Sequence, residues 1–234
     1  MSNSPRRVAM ISGASRGIGA AIAKNLIDNG WDVSLGCRKP EDVLIEHQDR
    51  QLVCQFDALD PQTEDRWVAA TVAKFGKIDA IVHNAGVMLP VSVLKATDEE
   101  FDQTFDTNVK SPMRLSRKVW PHLVDSGQGR IVILVSLSGK RVRGERSSLY
   151  SMSKFAALAL AHGLRRIGDE AGIRCTAICP GFVATDMGTA LSSAEPEKMT
   201  QPEDLAHLVR TVLELPTTTS IAEIPVNWTV EDQY

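Results

Sequence analysis

Tyr150 and Lys154 stand four residues apart in the run Tyr150-Ser151-Met152-Ser153-Lys154, and Ser136 precedes Tyr150 by fourteen residues. On a helix, residues at i and i+4 share one face. The residues that follow, Phe155 to Arg166, include strong helix formers and no proline. Tyr150 and Lys154 are therefore expected to point into one space at the start of a helix. A free phenol has a pKa near ~10 and is a poor proton partner at neutral pH. A neighbouring ammonium favours the phenolate and lowers that value. Tyr150 then becomes able to serve as a general acid or base, and Ser136 could hold a carbonyl or hydroxyl oxygen by hydrogen bond. A tyrosine and a lysine at this spacing also occur by chance, so the pair needs a cofactor site beside it to carry weight.

Such a site begins at the N-terminus. Val8–Ser12 is an apolar run that reads as a strand, and Gly13-Ala14-Ser15-Arg16-Gly17-Ile18-Gly19 follows it. Residues 20–28 have helical period and stop at Asn29-Gly30, a helix-end signal. Strand, glycine turn and helix form the setting of a dinucleotide phosphate site. Glycines let the backbone approach a pyrophosphate, and the helix start offers free N–H groups. Asp32–Cys37 reads as the second strand, closed by Arg38 and Lys39. An acid here would hold the 2′-hydroxyl of NAD, whereas arginine suits a 2′-phosphate. Asp57 follows a third strand at 52–56, placed to touch an adenine or to cap a turn.

Further strands are expected at 78–82, 129–136, 173–179 and 222–230. Helices are expected at 63–75, 98–125, 150–171 and 205–215, the second broken or kinked near Pro112 and Pro121. Residues 188–200 read as a mobile loop or short helix over the site, and 231–234 as a tail. Strands alternating with helices imply an α/β fold, with a doubly wound parallel sheet of about seven strands and helices on both faces. Residues 1–234 read as a single Rossmann-type NAD(P)-binding domain with a substrate loop at about 187–201.

Composition narrows the class. The chain has 234 residues, 43% of them hydrophobic, and a net charge of −3. That charge gives no footprint for nucleic acid or an anionic membrane. Cys37, Cys54, Cys175 and Cys179 lie in apolar stretches and read as buried free thiols. The five histidines show no metal-ligand spacing, so no metal is expected. No apolar run is long enough for a signal peptide or a membrane span, which leads to the expectation of a cytoplasmic protein.

Taken together, these residues resemble the short-chain dehydrogenase/reductase family over nearly the whole chain. Ser12-Gly13-Ala14-Ser15-Arg16-Gly17-Ile18-Gly19 is similar to the family's Thr-Gly-x-x-x-Gly-x-Gly, and His83-Asn84-Ala85-Gly86 to its Asn-Asn-Ala-Gly. Asn108 stands where the family carries a catalytic asparagine. Ser136 precedes Gly139 by three, as around the family's catalytic serine; Ser138 is the rival. Pro180-Gly181, with Val183 and Thr185, resembles the nicotinamide-binding loop. The resemblance implies that Lys154 holds the nicotinamide ribose and lowers the Tyr150 pKa. It implies that Tyr150 passes the proton, Ser136 fixes the substrate oxygen and Asn108 holds a water leading to Lys154. Hydride passes between nicotinamide C4 and the substrate carbon. Ser12 and His83 depart from the family pattern, as does the absence of its C-terminal Gly-Gly segment.

The expected activity is an NADP(H)-dependent carbonyl reductase or alcohol dehydrogenase, with Arg38 and Arg16 placed for the 2′-phosphate. An NADPH-sensing binding protein without turnover is the alternative, since fold does not fix function. A nucleotide-sugar epimerase is a third reading, opposed by the short stretch after Pro180. The resemblance also implies a homodimer or homotetramer through the long helices expected at 98–125 and 150–171. The substrate pocket is expected at 87–91, after Ser136, and at 188–200. Lys140-Arg141-Val142-Arg143-Gly144-Glu145-Arg146 holds four bases against one acid. Arg141 or Arg143 is therefore the candidate partner for an anionic group on the substrate, unless the run is a solvated face.

Overall fold

A computed structural model describes residues 6–43 and 47–230. Among these residues, seven strands form one sheet: β1 (Val8–Ser12), β2 (Asp32–Cys37), β3 (Gln51–Gln55), β4 (Ala80–His83), β5 (Arg130–Leu134), β6 (Arg174–Pro180) and β7 (Glu223–Val226). Their order is β3-β2-β1-β4-β5-β6-β7, and every pairing is parallel. The chain steps outward from β1 in one direction and from β4 in the other. Ligands of open α/β sheets bind where the order reverses, outside the strands' carboxyl ends.

Alternate residues of each strand feed opposite faces, as the two-residue period of a strand requires. Ala9, Ile11, Val82, Val132 and Leu134 pack with α1 (Gly17–Asp28) and α7 (Pro202–Glu214). Met10, Ile81, Ile131 and Ile133 pack with α2 (Pro61–Phe75), α4 (Ser111–Asp125) and α5 (Ser148–Ile167). Both faces are covered, so β1 and β5 are apolar or buried along their whole length. The edge strands β3 and β7 are only partly buried.

Several boundaries differ from expectation. The helix expected at 98–125 is helical over that span, as α3 (Asp98–Phe105) and α4 with a π-turn at Asp106–Lys110 between them, close to Pro112 where a break was expected. The π-turn comes immediately before Pro112, which has no backbone N–H to give to the helix ladder. The helix runs on through Pro121 to Asp125. Strand β5 ends at Leu134, so Ser136 lies on the loop beyond it. Helix α1 starts at Gly17, which puts Gly17, Ile18 and Gly19 in its first turn. Helix α5 starts at Ser148, and β7 is four residues long. Residues 188–200 begin inside a short helix, α6 (Asp186–Leu191), and include a single tight turn at Pro196–Lys198. The tail expected at 231–234 lies outside the described residues.

Candidate active site

The glycine turn leaves β1 with Gly13 at φ 67° and Gly17 at φ 55°, backbone states that side chains resist. A Cβ on Gly13 would lie 2.9 Å from the Ala85 Cα. The turn is pinned from the next strand. Asn84 Nδ2 donates to the carbonyls of Ser12 (3.0 Å) and Gly13 (2.9 Å). Ser12 Oγ in turn accepts the backbone N–H groups of Asn84 and Ala85, each at 3.1 Å. Ser12 and Asn84 thus spend their side chains on shaping the turn. Arg16 caps α1 without a side-chain bond, so the N–H groups of Gly17, Ile18 and Gly19 form an open helix start.

Arg38 and Lys39 are exposed past the end of β2, and Ser15 and Arg16 are exposed on the turn. Arg16 Nη1 meets Asp186 at 2.9 Å, with both side chains about three-quarters exposed. Asp57 Oδ1 accepts the Leu59 N–H at 3.0 Å, so this acid caps its own turn. On the far side, a Cβ on Gly17 would lie 3.2 Å from Thr185 Cγ2. Thr185 caps α6 through the Gly188 N–H, and Val183 is buried beside it.

From the turn, residues 84–86 lead to the catalytic candidates. A Cβ on Gly86 would stand 3.3 Å from Asn108 Oδ1 and 3.7 Å from Lys154 Nζ. A side chain there would crowd Asn108 and narrow the approach to Lys154. A bare helix start, two left-handed glycines and this cleared approach to Lys154 fit a dinucleotide lying across the switch point.

Lys154 is buried, and its Nζ donates to the Leu134 carbonyl at 2.8 Å. Burial pulls its pKa down to about 8. Tyr150 is pushed up to about 12 by burial, which its hydrogen bond with Ser136 only partly offsets. This reverses the expected direction. The lysine ammonium is turned to a backbone carbonyl and sits 5.6 Å from the tyrosine ring centroid. Desolvation of the phenolate dominates, and the Ser136 hydrogen bond is what opposes it. Ser136 Oγ accepts the Ser138 N–H at 3.0 Å and donates to the Pro180 carbonyl at 3.3 Å. Ser136 faces the tyrosine, while the Ser138 backbone supports it.

Asn108 is buried in the π-turn, a distortion often found at functional positions. Its Oδ1 accepts the Val87 N–H at 2.9 Å, and its Nδ2 donates to Val87 O and to Ser153 Oγ, each at 2.9 Å. Ser153 Oγ then donates to the Tyr150 carbonyl at 2.7 Å. Ser153 was not singled out in the sequence, although it stands inside the Tyr-to-Lys run. His83 is buried, held neutral with a pKa near 3, and shares a 2.8 Å hydrogen bond with Ser116. Gly181 is closed on by Asn227, whose Oδ1 would lie 2.2 Å from a Cβ there; no sequence signal marked Asn227.

In the basic loop, Lys140 is committed to Glu223 at 2.5 Å and Arg146 donates to the Pro90 carbonyl at 3.3 Å. Glu145 pairs with Lys95, Arg141 is half-buried and Arg143 is exposed. Cys37, Cys54, Cys175 and Cys179 are free thiols. Among the described residues, no group of three or more His, Cys, Asp or Glu side chains could hold a metal ion. No described helix is long and apolar enough to cross a membrane.

A parallel sheet in this order, with a glycine turn at its switch point and a Ser-Tyr-Lys cluster beside it, defines a Rossmann-type oxidoreductase fold. The sequence matches the short chain dehydrogenase family over residues 7–196. The chain belongs to that family. It is 40% identical over 213 residues to an agropine synthesis reductase of Rhizobium rhizogenes, covering 89% of this chain and 49% of that protein. The chain thus spans about half the length of that relative. It is 34% identical over 224 residues to an uncharacterized oxidoreductase of Staphylococcus haemolyticus, covering 94% of this chain and 96% of the relative. The structure of an alcohol dehydrogenase from the archaeon Thermococcus sibiricus, complexed with 5-hydroxy-NADP, superposes with a TM-score of 0.86. That match has 26% identity and covers 98% of this chain and 100% of the other.

Proposed function

We propose that this chain is an NADP(H)-dependent oxidoreductase of the carbonyl reductase or alcohol dehydrogenase type, acting on a C=O/CH–OH pair. The observation that carries the reading is the hydrogen-bonded Ser136–Tyr150 pair with Lys154 buried beside it, reached from the glycine turn past Gly86. When bound, the cofactor supplies or accepts the hydride. The protein's share is position and the proton. Tyr150, with its pKa near 12, is protonated throughout the neutral range and serves as the donor when a carbonyl is reduced. Ser136 holds the same substrate oxygen. Lys154 holds the nicotinamide ribose hydroxyls, and Asn108 fixes Val87 and the Tyr150 backbone while lining the water path to Lys154. The nucleotide lies along Gly13, Ser15, Arg16 and the first turn of α1, with Asp57 at the adenine end. Ala85, Gly86, Pro180, Gly181, Val183 and Thr185 flank the nicotinamide.

The preference for NADP(H) rests on Arg38, exposed just past the end of β2, with the exposed Arg16 of the glycine turn as a second base for a 2′-phosphate. The Thermococcus alcohol dehydrogenase carries an NADP derivative, which supports the same choice. The anionic-substrate reading is carried by Arg141 and Arg143 on the loop between Ser136 and Tyr150. Association through α4 and α5 is supported by Met113, Met152 and Phe155, each more than two-fifths exposed on those helices. A cytoplasmic location accords with free thiols.

One panel tests the reading: matched carboxylated and neutral carbonyl compounds, each with NADPH and with NADH. Turnover with NADPH, a lower KM for the carboxylated member and a switch toward NADH in Arg38→Asp are expected. Silence across the panel, together with tight NADPH binding, would leave the cofactor-sensing alternative standing. Light scattering that gives a monomer would remove the oligomer.

A further inference from the structure

The catalytic serine stands on a loop, two residues past the end of β5, and something must fix it there. Its hydroxyl rests on the Pro180 carbonyl, and Pro180 pairs with Val226 of β7. The turn at Leu137–Gly139 then lies directly on α5: a Cβ on Gly139 would be 2.7 Å from the Lys154 carbonyl. The next residue, Lys140, reaches back to the edge strand and donates to Glu223 Oε2 at 2.5 Å. The other oxygen of that carboxylate meets His162 Nε2 of α5 at 2.7 Å. Cys179, on β6, is pushed up to about 11, first by burial and then by the Glu223 charge it faces. Glu223 therefore joins the serine turn, the helix bearing Tyr150 and Lys154, and β7.

We propose that Glu223 is a positioning residue: through Lys140 and His162 it holds the Ser136 turn in register with Tyr150 without touching a reacting atom. This rests on the oxidoreductase reading above. The cluster is more than a surface pair. The Lys140 and Glu223 side chains are only about one-fifth exposed, where charge pairs are screened less than on an open surface. A shift of the serine would misplace the substrate oxygen relative to the Tyr150 proton, and displacements of about 1 Å can cost up to ~10²-fold in rate.

The test compares Glu223→Gln, Lys140→Met and the double variant. Each single variant is expected to lower kcat about tenfold, leaving substrate KM and the NADPH Kd within about twofold. The double variant is expected to be no worse than either single one, because the two residues act as one unit. Backbone hydrogen exchange supplies an independent readout. The Gly139 and Lys140 amides, which donate to Ser136 O and Leu137 O, should exchange about tenfold faster in Glu223→Gln, while the Ile133 amide does not change. A fall in thermal stability alone, multiplying losses in the double variant, or unchanged exchange in the turn would overturn the proposal. If the wild type turns over nothing in the carbonyl panel, the functional reading fails, and the exchange measurement still decides whether Glu223 holds the turn.

Discussion

Around β1 the backbone makes the site, and around β5 side chains make it. At the end proposed for the nucleotide, Gly13 and Gly17 take left-handed φ values and the start of α1 presents bare N–H groups. Asn84 and Ser12 hold that backbone in shape. At the catalytic end, glycine matters chiefly as cleared space at Gly86. There Asn108 grips Val87 and Ser153, Ser153 grips the Tyr150 carbonyl, and Ser136 hangs between Ser138 and Pro180. Burial acts on Lys154 and Tyr150 in opposite senses, holding Lys154 near 8 and Tyr150 near 12. A backbone-built site tolerates changes in surrounding side chains but not an added Cβ. A side-chain-built site should fail in turnover while still binding its cofactor.

Asn108→Ala breaks the comparison on the catalytic side. It removes three hydrogen bonds that order Val87 and the first turn of α5. A loss in kcat of about 10²-fold is expected, with the NADPH Kd nearly unchanged. Steady-state kinetics beside titration calorimetry checks the split, and equal losses in both would contradict it. Gly13→Val should do the reverse. The left-handed φ and the 2.9 Å approach to Ala85 store strain of about 1–3 kcal/mol, so NADPH binding should weaken by roughly 10–100-fold. Retained wild-type affinity would show that the turn is not the phosphate cradle.

The smallest effect concerns Lys154. Its folded pKa, about 8, lies below the 10.5 of a solvated lysine. Between those values the unfolded chain binds more protons than the folded one, so stability from this group rises with pH and is lost as pH falls through 8. Wild type should therefore gain on Lys154→Met by about 1 kcal/mol on going from pH ~8 to ~9.5, read by denaturant unfolding at both values. A constant difference would show that the ammonium is not desolvated.

The same contrast explains what the sequence could disclose. The glycine turn, Tyr150, Lys154 and Ser136 were legible because their meaning lies in short spacings and in one strand–turn–helix unit. The sheet followed from buried parallel strands that read as continuous apolar runs. The π-turn before Pro112 was not legible, since nothing local distinguishes it from a helix broken at the proline itself. The upward shift of Tyr150 depends on where the Lys154 ammonium points, and spacing does not record that. Glu223 lies 83 residues from Lys140 and 61 from His162, on an edge strand whose composition gave no hint of either contact.

The division of labour is tested most directly by Tyr150→Phe, measured for NADPH affinity and for carbonyl turnover on the same preparation. Removing the phenol hydroxyl takes away the proton donor and leaves the glycine turn, α1 and Lys154 in place. Turnover should fall by about 10²–10⁴-fold while the NADPH Kd stays within about threefold of wild type. Turnover that survives the change would contradict the assignment of Tyr150, and loss of NADPH binding in parallel would contradict the separation of the two halves.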